Sequence, residues 1–252
     1  MYFGEEINMT NLKNIINTFK QGSYDAIAIG GQTASGKSAF ALSLAKELGG
    51  EIIGSDSRQI YQDMIIGTGA LVKHEMEGIP HHLIGTIPPS MTMNAATYKE
   101  MAYEKIKEIL GRNQIPILVG GTGLYLDSVI FNFSFSGEEI PMMSPWKILL
   151  VIISGDTNVL NQKIDQRHRE MFESSPSIID ETIQLLENGY ARDHEAMTSI
   201  GYRESMQYID GKMNLESAIK QTQQEARSYA KRQRTWFRRL LRKYPGIIIQ
   251  SK

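Results

Sequence analysis

The sequence has no cysteine. This one absence excludes disulfides, thiolate zinc sites, a cysteine nucleophile, and iron–sulfur clusters with the radical chemistry they support. Long apolar runs are also missing. The longest, Ile148 to Ile153, is the size of a strand and far short of the about 18 residues a membrane-spanning helix needs. The opening MYFGEEINMTNLKN is polar, with no basic stretch leading into an apolar one. Nothing there marks export, so a soluble, cytoplasmic protein without a membrane partner is expected. No internal repeat or low-complexity segment is present, which removes the solenoid and disordered classes. Net charge is nearly absent too, at -1 from 27 basic and 28 acidic residues.

A chain of 252 residues, 41% of them hydrophobic, can bury a substantial core. One large domain, or one with a small appendage, is the expectation, as a monomer. The near-zero charge conceals a segregation. Eight of the basic residues (Arg227, Lys231, Arg232, Arg234, Arg238, Arg239, Arg242 and Lys243) fall in a stretch without a single acid, leaving 19 basic against 28 acidic residues elsewhere. Such a segment suits either a polyanionic partner or a solvated helix face. The 13 methionines are read as core filler.

The periodicity predicts a leading helix over 10–20 and a strand over 25–30 that ends at glycines and runs into a helix over 37–48. Further strands are expected at 51–55, 115–120, 146–153 and 247–250, with a helix over 95–110. Strands alternating with helices imply a parallel α/β sheet with right-handed crossovers. The last third reads as helical, near 157–173, 177–188, 198–210 and 215–243.

Gly31-Gln-Thr-Ala-Ser-Gly-Lys-Ser38 fits G-x-x-x-x-G-K-[ST] between a predicted strand and a predicted helix, the context a phosphate loop requires. Its backbone N–H groups form an anion nest, the helix N-terminus adds favourable dipole, Lys37 neutralises phosphate charge, and the Ser38 hydroxyl suits Mg²⁺. Which polyphosphate binds is left open by the motif: nucleotide hydrolysis, phosphoryl transfer and a non-nucleotide diphosphate all fit. No apolar strand ends directly in an acid, as an NTPase would have it. The acid instead follows the second strand, as Ser55-Asp56-Ser57, where the carboxyl ends of a doubly wound sheet form the ligand crevice. Asp56 is either a group facing the substrate or the N-cap of the segment that starts at Arg58; spacing does not separate the two.

Taken together, GGQTASGKS (30–38), SDSRQIYQDMIIGTG (55–69), GIPHHLIG (78–85), PILVGGTGLYLDSVI (116–130), IGYRE (200–204) and AKRQRTWFRR (230–239) resemble the tRNA dimethylallyltransferases, in the same order and over nearly the whole chain from residue 25. The resemblance implies a P-loop NTPase-like parallel sheet flanked by helices, with a helical C-terminal region. It also implies transfer of a dimethylallyl group from dimethylallyl diphosphate to N6 of adenosine 37, in the anticodon loop of tRNA, with Mg²⁺ and without ATP. Residues 1–24 would be a helical extension and residues 25–252 the prenyltransferase core, with its basic helical region at 157–243.

Carried over residue by residue, the family pattern places Gly31, Thr33, Ala34, Ser35, Gly36, Lys37 and Ser38 on the donor diphosphate, with Ser38 on the metal. Thr122 would lie near the donor's bridging oxygen, its alternative being an ordinary N-cap. Arg167 would be a diphosphate-binding arginine. Asp56 would be the base that takes the N6 proton, with Thr33, Ser57, Arg58 and Gln59 helping to hold an adenine extruded from its stack. Lys231, Arg232, Arg234 and Arg238 would meet RNA phosphates, and Arg203 would anchor either RNA or the C-terminal helices. Trp236 and Phe237, adjacent on a helix, are read as packing into the core. His81-His82 lacks the spacing of helical zinc ligands.

Three departures stand out. Gln32 replaces the family's usual proline, the stretch after Met171 lacks its usual glycine, and the helical insertion that follows the GGTGLY segment is absent near 126–145. The adenylate isopentenyltransferases, which act on AMP, ADP or ATP in cytokinin synthesis, share the phosphate loop and also lack the insertion, so they are the main alternative. The eight cations of the C-terminal segment favour RNA over a mononucleotide. An RNA-binding protein without catalysis and a small-molecule kinase are weaker alternatives.

Overall fold

The computed structural model describes residues 9–133 and 143–251. Helix α1 (Met9–Gln21) leads into strand β1 (Ala26–Gly31), and the phosphate loop then opens helix α2 (Lys37–Leu48). The chain continues through β2 (Gly50–Gly54), β3 (His81–His82), α3 (Ala95–Gly111), β4 (Ile115–Gly120), α4 (Gly123–Ile130) and β5 (Ile148–Ser154). Helices α5 (Thr157–Glu173), α6 (Ile178–Glu187), α7 (Tyr202–Ile209) and α8 (Leu215–Lys243) precede the edge strand β6 (Gly246–Gln250). The six strands form one sheet in the order β3-β2-β4-β1-β5-β6, with every pairing parallel.

Parallel strands covered on both faces read as continuous apolar runs, and here alternate residues of each run go to opposite layers. Ala26, Ala28, Ile148, Leu150 and Ile152 face a core shared with Tyr98 of α3, Val129 of α4 and Phe237 of α8. Ile27, Ile29, Leu149, Val151 and Ile153 face a second core with Leu12, Ile15 and Phe19 of α1 and Leu44 of α2. Leu12, Ile15 and Phe19 recur at helical spacing, so α1 lays a single stripe on α2 and the sheet.

Helix α8 spans 29 residues, about 43 Å at 1.5 Å per residue. Its buried stripe is Ile219, Thr222, Ala226, Ala230, Gln233, Phe237 and Leu240, which leaves most of the basic side chains on the opposite side. Two elements were not expected. Helix α4 is buried at seven of its eight positions, so it shows no amphipathic period. Strand β3 has two residues, too few for alternation to register. The segment expected as one helix over 198–210 is a 3₁₀ turn, Ala196–Thr198, followed by α7.

With all strands parallel, the loops after β1, β2 and β4 leave the same end of three adjacent strands. β1 crosses to β2 on one side and the chain returns to β5 on the other, so this end is the switch point where a doubly wound sheet binds ligands.

Candidate active site

The phosphate loop has the backbone of an anion nest. Ala34 and Gly36 are left-handed at φ 63° and 82°, and Gly36 heads α2 with no side-chain cap. Lys37 Nζ donates to Gln32 O at 2.6 Å, folded back over the loop. The Ser35 hydroxyl is buried inside the loop without a hydrogen-bond partner. Thr33 is tied to α8. Its N–H donates to Gln233 Oε1 at 2.8 Å and its hydroxyl approaches the same oxygen at 3.3 Å.

Asp56 sits on the turn after β2. Oδ1 accepts the Arg58 N–H at 3.0 Å, while Oδ2 lies only 3.4 Å from where a Cβ on Gly121 would stand. One carboxylate oxygen therefore caps the turn and the other faces the loop after β4, so each of the two readings of Asp56 holds for one oxygen. Thr122 occupies the N-cap position of α4 but makes no side-chain cap there. Its Oγ1 instead accepts the Ser57 N–H at 2.9 Å and donates to Ser57 Oγ at 3.2 Å, tying the β4 turn to the β2 turn.

Three buried phenols feel the charge of Asp56. Burial, with the Asp56 charge adding to it, raises Tyr98 and Tyr125 above the ordinary tyrosine range and pushes Tyr229 up to about 12. All three stay protonated at neutral pH. Tyr98 and Tyr125 stack with centroids 4.0 Å apart, Tyr98 hydrogen-bonds Ser55, and Tyr229 interacts with Thr122 and Gln233.

The remaining expected site residues divide. Gln59 donates to Thr68 O and Gly69 O, both at 3.2 Å, and Arg58 reaches Glu195 O at 3.2 Å. Arg167 Nη2 donates to Gly69 O at 3.1 Å, so it meets the loop that Gln59 also holds. Of the two readings of Arg203, the anchor for the C-terminal helices is the one its contacts show. Its guanidinium donates to Glu204 at 2.9 and 3.0 Å and also meets Glu225, joining α7 to α8 rather than presenting a free cation to RNA. Lys231, Arg232 and Arg238 are exposed, whereas Arg234 is partly buried on Thr157. Phe237 lies in the core, and Trp236 donates to Asp127 Oδ2 at 3.0 Å beneath the Arg239 guanidinium. His81 bonds Ile79 O through Nδ1, and His82 bonds Glu51.

Gln233 and Tyr229 were not foreseen. The available signal was an amide side chain in the largely apolar stripe of α8. Gln233 is 4% exposed, and its Nε2 donates to Gly121 O at 3.0 Å.

The sequence model of the family described as IPP transferase matches residues 59–143 and 134–240. A tRNA dimethylallyltransferase of Thermoanaerobacter sp. (strain X514) is 32% identical over 279 aligned positions, covering 84% of this chain and 88% of that protein. The chain belongs to the IPP transferase family. A tRNA dimethylallyltransferase of Oceanobacillus iheyensis is 33% identical over 84% of this chain and 87% of its own length. Among solved structures, the full-length tRNA isopentenylpyrophosphate transferase of Bacillus halodurans superposes with a TM-score of 0.81 at 32% identity, covering 90% of each chain. A eukaryotic dimethylallyltransferase acting on tRNA, at 23% identity and TM-score 0.80, shares the fold. The 279 aligned positions exceed the 252 residues of this IPP transferase, so the first relative carries residues that have no counterpart here.

Proposed function

We propose that this IPP transferase moves a dimethylallyl group from dimethylallyl diphosphate to N6 of adenosine 37 in tRNA. The observation that carries the reading is the free Oδ2 of Asp56, aimed across the β4 turn at the end of the sheet where the phosphate loop lies. An allylic diphosphate needs negative charge stabilised on its leaving group, and the nest, Lys37 and the α2 N-terminus are suited to that. The N6 lone pair attacks the allylic carbon, the carbon–oxygen bond breaks, the diphosphate leaves with the electron pair, and the N6 proton passes to Asp56.

The loop also fits Mg²⁺. Ser38 offers one hard oxygen, the diphosphate would supply others, and Mg²⁺ favours such a mixed set. When bound, the ion would neutralise charge on the leaving diphosphate. Thr122 would offer its hydroxyl to the donor, and Arg167, whose guanidinium carries five N–H donors, could meet phosphate while Nη2 keeps its bond to Gly69 O. Lys231, Arg232 and Arg238 are exposed and would meet the RNA backbone, and a base extruded from its stack would bring N6 to Asp56.

The family model matches in two pieces that meet at 134–143, inside the segment where the helical insertion is expected to be missing. We infer that this chain is a compact member. Part of that segment, 134–142, lies outside the described residues.

The test is incubation with labelled dimethylallyl diphosphate and Mg²⁺, offering unmodified tRNA, an anticodon stem-loop and AMP separately. Label should enter RNA. Label in AMP alone overturns the tRNA reading, and consumption of ATP identifies a kinase.

A further inference from the structure

A glutamine buried in an apolar helix stripe must have its polar atoms satisfied, and Gln233 satisfies both ends across the crevice. Its Oε1 accepts the Thr33 N–H of the phosphate loop at 2.8 Å, and its Nε2 donates to Gly121 O of the β4 turn at 3.0 Å. Contact is close enough that a Cβ on Gly121 would stand 2.2 Å from Nε2. Tyr229, one helical turn earlier on α8, interacts with both Gln233 and Thr122, and Thr122 is bonded in turn to Ser57 beside Asp56. One helix thus holds the phosphate loop and the β4 turn directly, and the β2 turn by way of Thr122.

We propose that Gln233 is a positioning residue for prenyl transfer: it fixes the phosphate loop relative to the turn carrying Thr122, and so sets the donor's diphosphate against the Asp56 carboxylate. The proposal rests on the transferase reading above. Loss of this bridge leaves the nest itself intact, because Lys37, Gly36 and the α2 N–H groups do not depend on it. The consequence is a donor that binds but is misaligned with the base. Misplacement of reacting groups by about 1 Å costs on the order of 10² in rate.

Two variants test it, assayed well below their melting temperatures. Gln233→Leu has nearly the same size and makes neither bond; kcat should fall about tenfold to a hundredfold, while equilibrium binding of inorganic diphosphate changes less than about threefold. Gln233→Glu keeps an acceptor for Thr33 but sets a carboxylate against the Gly121 carbonyl. Burial raises the pKa of such a carboxyl, and once protonated it can donate to Gly121 O as the amide does. The kcat of Gln233→Glu relative to wild type at the same pH should therefore rise several-fold from pH 8.5 to pH 6. A packing role alone produces no such dependence. The proposal is overturned by a Gln233→Leu kcat within twofold of wild type, or by a Gln233→Glu ratio that is flat with pH. Should Gln233→Leu fail to fold, the pH ratio decides alone. Wild-type protein that transfers no prenyl group to RNA refutes the transferase reading instead, and the two failures are distinct.

Discussion

The indole N–H of Trp236 on α8 donates to Oδ2 of Asp127 on α4 at 3.0 Å, in a place largely closed to water. Asp127 is 5% exposed, its Oδ1 has no hydrogen-bond partner, and Arg239 Nη2 is 3.8 Å from Oδ2. Burial raises its carboxyl to about 6, against the opposing pull of Trp236, Arg239 and Lys243.

From that follows a pH dependence of known sign. The unfolded carboxyl titrates near about 3.9, so between that value and about 6 the folded protein binds the proton more tightly, and stability falls as pH rises through this window. Asp127→Asn keeps an acceptor for Trp236 and removes the buried charge. It should stabilise the protein by about 1–3 kcal/mol at pH 8 and make little difference at pH 3.5. Urea unfolding at the two pH values checks this; a variant less stable than wild type at pH 8 contradicts it.

Asp56→Ala should lower the transfer rate on the order of 10² or more, as removal of a general base does, with donor binding retained. Single-turnover kinetics alongside diphosphate binding measure the two effects separately. Turnover close to wild type would refute the assigned role.

Arg203→Ala and Lys231→Ala should separate structural from RNA-binding cations. Glu204 is fully buried and takes two bonds from the half-exposed Arg203 but also accepts the Gly201 N–H, so Arg203→Ala should cost about 1–3 kcal/mol of stability, with the salt dependence of RNA affinity unchanged. Lys231 is exposed. Lys231→Ala should leave the melting temperature in place and lower the slope of log K against log salt by about 0.7 to 0.9. Titrations of an anticodon stem-loop at several salt concentrations read both. A reduced slope for Arg203→Ala would restore it to the RNA interface.

A Cβ on Gly120 would stand 1.9 Å from Ser55 O, a backbone atom that cannot turn aside. Gly120→Ala must push β2 and β4 apart at the crevice and is expected to destabilise by about 1–3 kcal/mol, with activity falling further than stability. Thermal unfolding and the transfer assay together test this, and wild-type values in both would show that the strands yield freely.

Much of the chemistry was legible in the order of residues because it is local. A phosphate loop is eight consecutive residues between a strand and a helix, and helices α2, α3, α5 and α8 carry their own periodicity, so their bounds agree with those expected to within a residue. Elements without periodicity escaped: α4 because it is buried nearly all round, and β3 because it is two residues long.

The phosphate loop, the α/β alternation and the segregation of cations onto one helix are written in consecutive residues. Which side chains meet depends on the packing of distant elements. Gln233 bonds residues 200 and 112 positions away, and Thr122 bonds a residue 65 positions away. Those partners follow from a sheet that places β4 between β2 and β1 and lays α8 across their carboxyl ends. Side-chain periodicity reports which face of an element is buried, but not which element covers it. That is why the sequence leaves Arg203 between RNA and the C-terminal helices, while the fold shows it as a clasp between α7 and α8.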